Sequence, residues 1–157
     1  MDAATDPLVV RPGEAATLPL AHGAFELLTD GCAVSASRLT LATGADGAPP
    51  HHHESSHEVF YVLDGTMLFR LGDALTTVGK GGLVIIPPGL THAFGAAEGE
   101  VADVVILLSP GVERFGYFEQ LSLISRGEAD FASLLPQQDR YDVHLDELPD
   151  WRSGSPR

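Results

Sequence analysis

The chain has 157 residues, of which 44% are hydrophobic, and this length predicts one domain, residues 1–157, with its own core. The formal net charge of −13 argues against binding to nucleic acid or an anionic membrane, because both depend largely on Lys and Arg. Cys32 has no partner for an internal disulfide, no apolar run approaches the roughly twenty residues that span a bilayer, and no signal peptide is recognisable. We therefore expect a cytoplasmic protein with no nucleic-acid or membrane partner.

Short strands are predicted in the N-terminal part of the chain, residues 8–43. They cover residues 8–10, 16–20, 25–28 and 33–41. Pro19 places the second of them at a sheet edge, because proline cannot donate to a central ladder. Asp30-Gly31 separates the last two and predicts a hairpin.

The central part of the chain, residues 44–108, begins with a loop rich in Gly, Ala and Pro and continues as strands. Four short strands, closed by Gly or Asp turns, are predicted at residues 58–63, 67–71, 75–78 and 83–86, and a fifth, apolar strand is predicted at residues 101–108. This spacing is typical of an antiparallel sandwich or barrel.

The C-terminal part of the chain changes character. Apolar residues recur at helical spacing in residues 112–135, with a second short helix predicted at residues 129–135. The aromatic run Phe115–Phe118 could lie over the mouth of a barrel or pack outside the sheet. Residues 136–157 are expected to form a loosely held tail.

Four histidines and the carboxylate of Glu58 lie within a stretch of eight residues that leads into the first central strand. His51 and His53 are two residues apart, so in extended backbone both side chains leave on one face. Glu58 would share the inward face of its strand, and His92 follows a turn from another strand. Neutral imidazoles and a carboxylate suit a divalent metal with open coordination positions, whereas the plainer alternative is a solvated polar loop.

The remaining histidines are weaker candidates for metal ligands. His52 and His57 have the opposite parity and are expected at the surface or in support of the ligands. His22 and His144 are expected to be exposed. Seven apolar residues could line a substrate pocket or form plain core: Phe60, Val62, Met67, Phe69, Ile86, Phe94 and Ile106.

Two motifs in order resemble the cupin superfamily. The first is His51-x-His53, Glu58 and Gly65; the second is Gly81, Pro87-x-Gly89 and His92. The resemblance covers residues 44–108. It implies an all-β fold, an antiparallel β-barrel or jelly roll with short C-terminal helices, and a homodimer that pairs through residues 8–41. It also implies one divalent transition metal ion, Fe, Ni, Co, Mn or Zn, held by His51, His53, Glu58 and His92.

The residue sequence of the central motifs and of the segment after residue 108 most resembles that of bacterial quercetinase-like cupins. This implies a metal-dependent oxidoreductase, a dioxygenase that uses O2 to cleave an electron-rich enol such as a flavonol, with Glu58 as catalytic proton acceptor. A metal-dependent polyketide cyclase or aromatase without O2 chemistry is the main alternative. A non-catalytic protein that binds a metal or a small molecule is the third.

Overall fold

A computed structural model describes residues 6–31, 33–153 and 155–156 of the chain. The expectations for Cys32 and for residues 1–5 lie outside these residues. The strands are β1 (Ala16–Leu20), β2 (Gly23–Thr29), β3 (Ser35–Leu41), β4 (His51–His52), β5 (His57–Leu71), β6 (Ala74–Gly79), β7 (Leu83–Ile86), β8 (His92–Ala96), β9 (Ala102–Ser109), β10 (His144–Leu145) and β11 (Ser155–Pro156). The helices are α1 (Phe115–Ser125), a 3₁₀ helix (Phe131–Gln137) and α2 (Gln138–Tyr141).

The strands form a jelly roll with the order β1-β2-β3-β9-β5-β8-β4-β10, and β6 and β7 also pair with β5. The pairings are antiparallel except that of β11 with β6. In the described part of the chain this order is an open path, so the jelly roll is not a closed barrel. The all-β jelly roll with short C-terminal helices confirms the predicted fold class.

Strand β5 connects the two faces of the jelly roll. Residues 57–65 pair with β9 and residues 66–71 pair with β6, where two separate strands had been predicted. Gly65 lies between them with φ 72°, and a Cβ added there would stand 1.9 Å from the carbonyl oxygen of Val101. Only glycine tolerates this approach, so the strand continues through Gly65 and changes partners without a turn.

Alternation along β5 determines which side chains face inward. Glu58, Phe60 and Val62 are buried, whereas His57 and Tyr61 are exposed. The parity predicted for this strand is therefore confirmed, and it places a carboxylate at one end of an apolar interior.

The predicted strand at residues 8–10 is wrong, because in the structure these residues form no regular element and are exposed. Among the described strands none lies beside them to supply the ladder that an extended apolar segment needs. The edge strand at residues 16–20 and the following hairpin are confirmed as β1, β2 and β3.

The prediction of a loose tail is also wrong for the described residues after 136. Strand β10 pairs with β4, and Trp151 is buried against Leu75 and Ala93. The segment contains isolated anchors instead of a periodic apolar face, so its sequence pattern gave no sign of packing. Helix α1 and the 3₁₀ helix confirm the predicted helical segment, and none of the described helices is long and apolar enough to cross a bilayer.

Candidate metal centre

Strand pairing brings the predicted ligands together. His51 on β4 lies opposite His92 on β8, and β8 pairs in turn with β5, which carries Glu58. His53 follows directly after β4. Each of the four residues is at most 2% exposed, and one potential ligand atom from each lies within 4.8 Å of those from the other three.

Backbone carbonyls fix the orientation of all three imidazoles. The Nδ1 atoms of His51, His53 and His92 lie 2.7, 2.6 and 2.8 Å from the carbonyl oxygens of Pro49, Asp142 and Leu90. A carbonyl oxygen only accepts, so each Nδ1 carries the hydrogen and donates it. The Nε2 atom of each neutral ring then presents a lone pair to the cluster, as metal-ligating histidines do.

The electrostatics of the cluster favour neutral His51 and ionised Glu58. Burial lowers the pKa of His51 well below its ordinary value, and the neighbouring His92 and His53 lower it further. Burial alone would raise the pKa of Glu58, but attraction to the neighbouring His53 and His92 rings and the hydrogen bond with His53 hold it well below its usual range. The Glu58 Oε2 atom contacts His53 Nε2 and lies 3.7 Å from His92 Nε2.

This donor set fits a divalent transition metal ion. The buried Nε2 atom of His92 has no hydrogen-bond partner among the described residues. The Nε2 atoms of His51 and His53 and the Glu58 carboxylate point to the same place. When the rings are neutral, these are converging acceptors, and a cation that displaces the shared proton of the His53–Glu58 contact would stabilise them. The cluster is thus compatible with the metal sites typical of cupins.

A small cavity of about 20 Å³ adjoins the cluster. It is lined by Phe25, Ala48, His51, Glu58, Phe94, Ile106, Arg114, Tyr117, Phe118 and Leu121. Of the seven candidate pocket residues only Phe94 and Ile106 lie here. The structure places the other five, Phe60, Val62, Met67, Phe69 and Ile86, in the core, where inward side chains of a small jelly roll fill the interior by packing on one another.

Helix α1 covers this cavity. Tyr117, Phe118 and Leu121 contribute to its wall, and the rings of Phe118 and Phe25 lie 4.6 Å apart. The carboxylate of Asp30 accepts from the backbone N–H groups of Arg114 and Phe115 and so fixes the start of the helix. The aromatic run therefore contributes to both arrangements considered for it: Tyr117 and Phe118 border the cavity, and helix α1 also packs against the edge strand β1.

A second cavity of about 450 Å³ lies beside the first. The two cavities share Phe25, Ala48 and Leu121 as lining residues. The larger one extends to His22 and Trp151, and its volume lies in the range that holds a small organic ligand.

Three residues of the site were missed by sequence reasoning. Arg114 and Tyr117 line the small cavity, and the Asp142 carbonyl orients His53. They lie outside both motifs. Tyr117 belongs to the aromatic run Phe115–Phe118, whereas no sequence pattern pointed to Arg114 or Asp142.

The other histidines lie away from the cluster. His22 and His57 are exposed, as expected. The Nδ1–H group of His52 donates to the Asp146 carboxylate, and the His52 ring stacks on that of His144 with 5.1 Å between ring centres. The prediction that His144 is exposed is wrong, because its side chain is 15% exposed and contacts Asp142.

Comparisons with known proteins agree with this fold. Residues 37–109 match the family model described as Cupin domain. No match was found among curated protein sequences. The family match and the jelly roll support the cupin superfamily, and the fold is a cupin fold.

Three solved structures illustrate the likeness. An RmlC-like cupin from Shewanella frigidimarina superposes with a TM-score of 0.60 at 16% identity, covering 70% of this chain and 96% of that chain. A variant of Pac13 from Streptomyces, solved with uridine, gives 0.57 at 14% identity, covering 70% and 87%. The Fe(II) form of HppE gives 0.57 at 17% identity, covering 68% and 62%. At such identities the likeness is one of fold.

Proposed function

We propose that the chain is a metal-dependent enzyme, a dioxygenase that acts on an electron-rich enol or phenol such as a flavonol. His51, His53, Glu58 and His92 hold the ion in this proposal. The observation that carries it is a buried cluster of imidazole and carboxylate acceptors, each imidazole anchored at Nδ1, next to an apolar cavity.

The donor set suits Fe, Ni, Co, Mn or Zn, and affinity order alone does not choose among them. The fold neighbour HppE was solved in an Fe(II) form, which agrees with a redox-active ion. A divalent ion held by these residues would supply Lewis acidity and leave one or two coordination positions for substrate and O2.

The residues around the cluster would orient the substrate and exclude water. Phe25, Phe94 and Phe118 form apolar walls, and helix α1 covers the mouth. The Glu58 carboxylate would receive the hydroxyl proton of the substrate at Oε2. Its lowered pKa makes it a weak base, so this transfer suits a hydroxyl that has itself become acidic on binding.

A second candidate is a metal-dependent cyclase or aromatase that does not use O2. Tyr117 supports it, because its phenol hydroxyl beside the cavity could donate a hydrogen bond to a polarised substrate carbonyl. The fold neighbour Pac13 is described as a nucleoside dehydratase, so this fold also carries chemistry other than oxygenation.

Anaerobic titration of the metal-loaded protein with flavonols, followed by admission of oxygen in an oxygen electrode, tests the proposal. A dioxygenase consumes one O2 per substrate. Product formation without O2 uptake would favour the cyclase. Binding without turnover for all five metals would leave a non-catalytic binding protein, the third possibility.

We also propose that the chain forms a homodimer through its N-terminal strands, residues 8–41. Strand β1 supports this, since it stands at the end of the strand order and pairs with β2 alone among the described strands. An unpaired edge of this kind is a template for pairing with another chain.

A further inference from the structure

Two polar side chains in the small cavity lack partners within the described residues. Arg114 is 4% exposed and its Nε atom has no hydrogen-bond partner; Tyr117 is 2% exposed and its hydroxyl has none. Both line the same cavity as His51 and Glu58. The two residues therefore form part of the wall of the cavity beside the proposed ion.

The Arg114 charge has no matching carboxylate among the described ion pairs. Asp30 is occupied by the backbone N–H groups at the start of α1, and Glu58 is occupied by His53 and His92. A buried cation without a counter-charge is costly, and such groups are normally paired. An anion that enters the cavity would satisfy it.

Aromatic packing holds the guanidinium in place. Its central carbon lies 5.1 Å from the ring centre of Tyr117 and 5.3 Å from that of Phe118. Burial raises the pKa of Tyr117 to about 12, so the hydroxyl stays protonated and can donate. The Arg114 Nε–H group and the Tyr117 hydroxyl are therefore two hydrogen-bond donors without an acceptor among the described residues.

The charge of the site has the sign that an anion requires. With a divalent ion bound, three neutral imidazoles and the Glu58 carboxylate would sum to about +1, and Arg114 would raise the total to about +2. This positive site lies inside a chain of net charge −13.

We propose that the substrate is an aromatic acid whose carboxylate is bound by Arg114 and Tyr117, while its apolar body occupies the larger cavity. The small cavity, about 20 Å³, has room for a head group only, and the adjoining 450 Å³ across Phe25, Ala48 and Leu121 has room for the body. The inference rests on the proposed function for the position of the reacting hydroxyl. Among the enols and phenols of that proposal it selects the hydroxyaryl acids and places them ahead of uncharged flavonols.

Calorimetric binding of 3-hydroxybenzoate and 3-hydroxybenzamide to the zinc-loaded protein tests this proposal. The two probes differ in charge, and their meta geometry prevents chelation through both groups. We expect the acid to bind at least about tenfold more tightly than the amide, as a charge-assisted bond requires. Arg114→Gln should abolish this preference, and Tyr117→Phe should reduce it severalfold while keeping the ring.

Arg126→Gln is the matched control, since Arg126 ends the same helix but does not line the small cavity. It should bind both probes like the wild type. The proposal would be overturned if the wild type bound the two probes equally or bound neither. It would also be overturned if the preference for the acid survived in both Arg114→Gln and Tyr117→Phe. Circular dichroism is the check that each variant is folded. Arg114→Lys retains the charge and should keep part of the preference for the acid.

Repeating the titration with metal-free His92→Ala separates this inference from the proposed function. If the acid is still preferred, Arg114 recognises the anion whether or not the chain is a dioxygenase. If the preference is seen only with metal and persists in Arg114→Gln, the ion alone selects the acid and the role given to Arg114 is wrong.

Discussion

Replacing Asp142 with alanine is expected to weaken binding of the proposed ion, although Asp142 offers the cluster no ligand of its own. Its carbonyl accepts the Nδ1 hydrogen of His53, and its carboxylate accepts from the backbone N–H groups of Glu54 and Ser55 at 2.8 and 3.0 Å. The residue stands at φ 51°, a left-handed conformation that alanine adopts less readily than aspartate.

The expected loss follows from these contacts. Two half-exposed hydrogen bonds contribute about 1 kcal/mol each, and a left-handed alanine costs roughly 1 kcal/mol more, so the free energy of unfolding should fall by about 3 kcal/mol. Alanine keeps the carbonyl but loses the contacts that hold it in place, and disturbing the orienting partner of a ligating histidine lowers metal affinity by about tenfold.

Competition titration against a chromogenic zinc chelator measures the affinity, and urea unfolding measures the stability. Asp142→Asn keeps an acceptor and tolerates the left-handed conformation, so it should lose less of both. Asp139→Ala, at a fully exposed side chain in the same segment, should change neither. Zinc affinity of Asp142→Ala within about twofold of the wild type would refute the reasoning that this segment orients His53.

Four further outcomes are expected. The free energy of unfolding of the metal-free protein should fall by up to about 1.4 kcal/mol per pH unit below pH 6.5, because His51 takes up a proton there in the unfolded chain but, with its lowered pKa, not in the folded protein. An unfolding free energy that stays constant in urea titrations from pH 7 to 5 would contradict this. Trp151→Ala should cost about 3 kcal/mol in urea unfolding, because the ring is buried; a loss below about 1 kcal/mol would show that the tail contributes little. Gly65→Ala, blocked by Val101, should cost more than about 2 kcal/mol, and more than Gly81→Ala, where φ is also positive but space is open. Sedimentation at micromolar concentration should show a dimer, and a monomer alone would remove the proposed N-terminal interface.

Local patterns in the sequence sufficed to predict that His51, His53, Glu58 and His92 lie together. The spacing of His51 and His53 and the alternation along β5 placed three side chains on inward faces, and turn chemistry before His92 brought in the fourth. The side of a strand on which each of these side chains lies depends on the two-residue period of extended backbone, which can be read from a short stretch of sequence.

Long-range contacts could not be predicted in this way. Asp142 meets His53 across 89 residues of chain, and Arg114 reaches the cavity only because α1 folds over the mouth. Neither residue belongs to a repeating pattern. The continuity of β5 through Gly65 was missed for a related reason. In the sequence, a glycine that ends a strand in a turn cannot be told from one that lets a strand continue past a neighbouring backbone, here the carbonyl of Val101.

Metal analysis of untagged protein tests the central claim most directly. We expect one divalent transition metal ion per chain after purification and dialysis, and loss of that ion in His53→Ala and His92→Ala. His57→Ala, which removes an exposed histidine from the same stretch, should retain it. Wild-type protein without stoichiometric metal after loading with Fe, Ni, Co, Mn or Zn, or full retention in His92→Ala, would contradict the account.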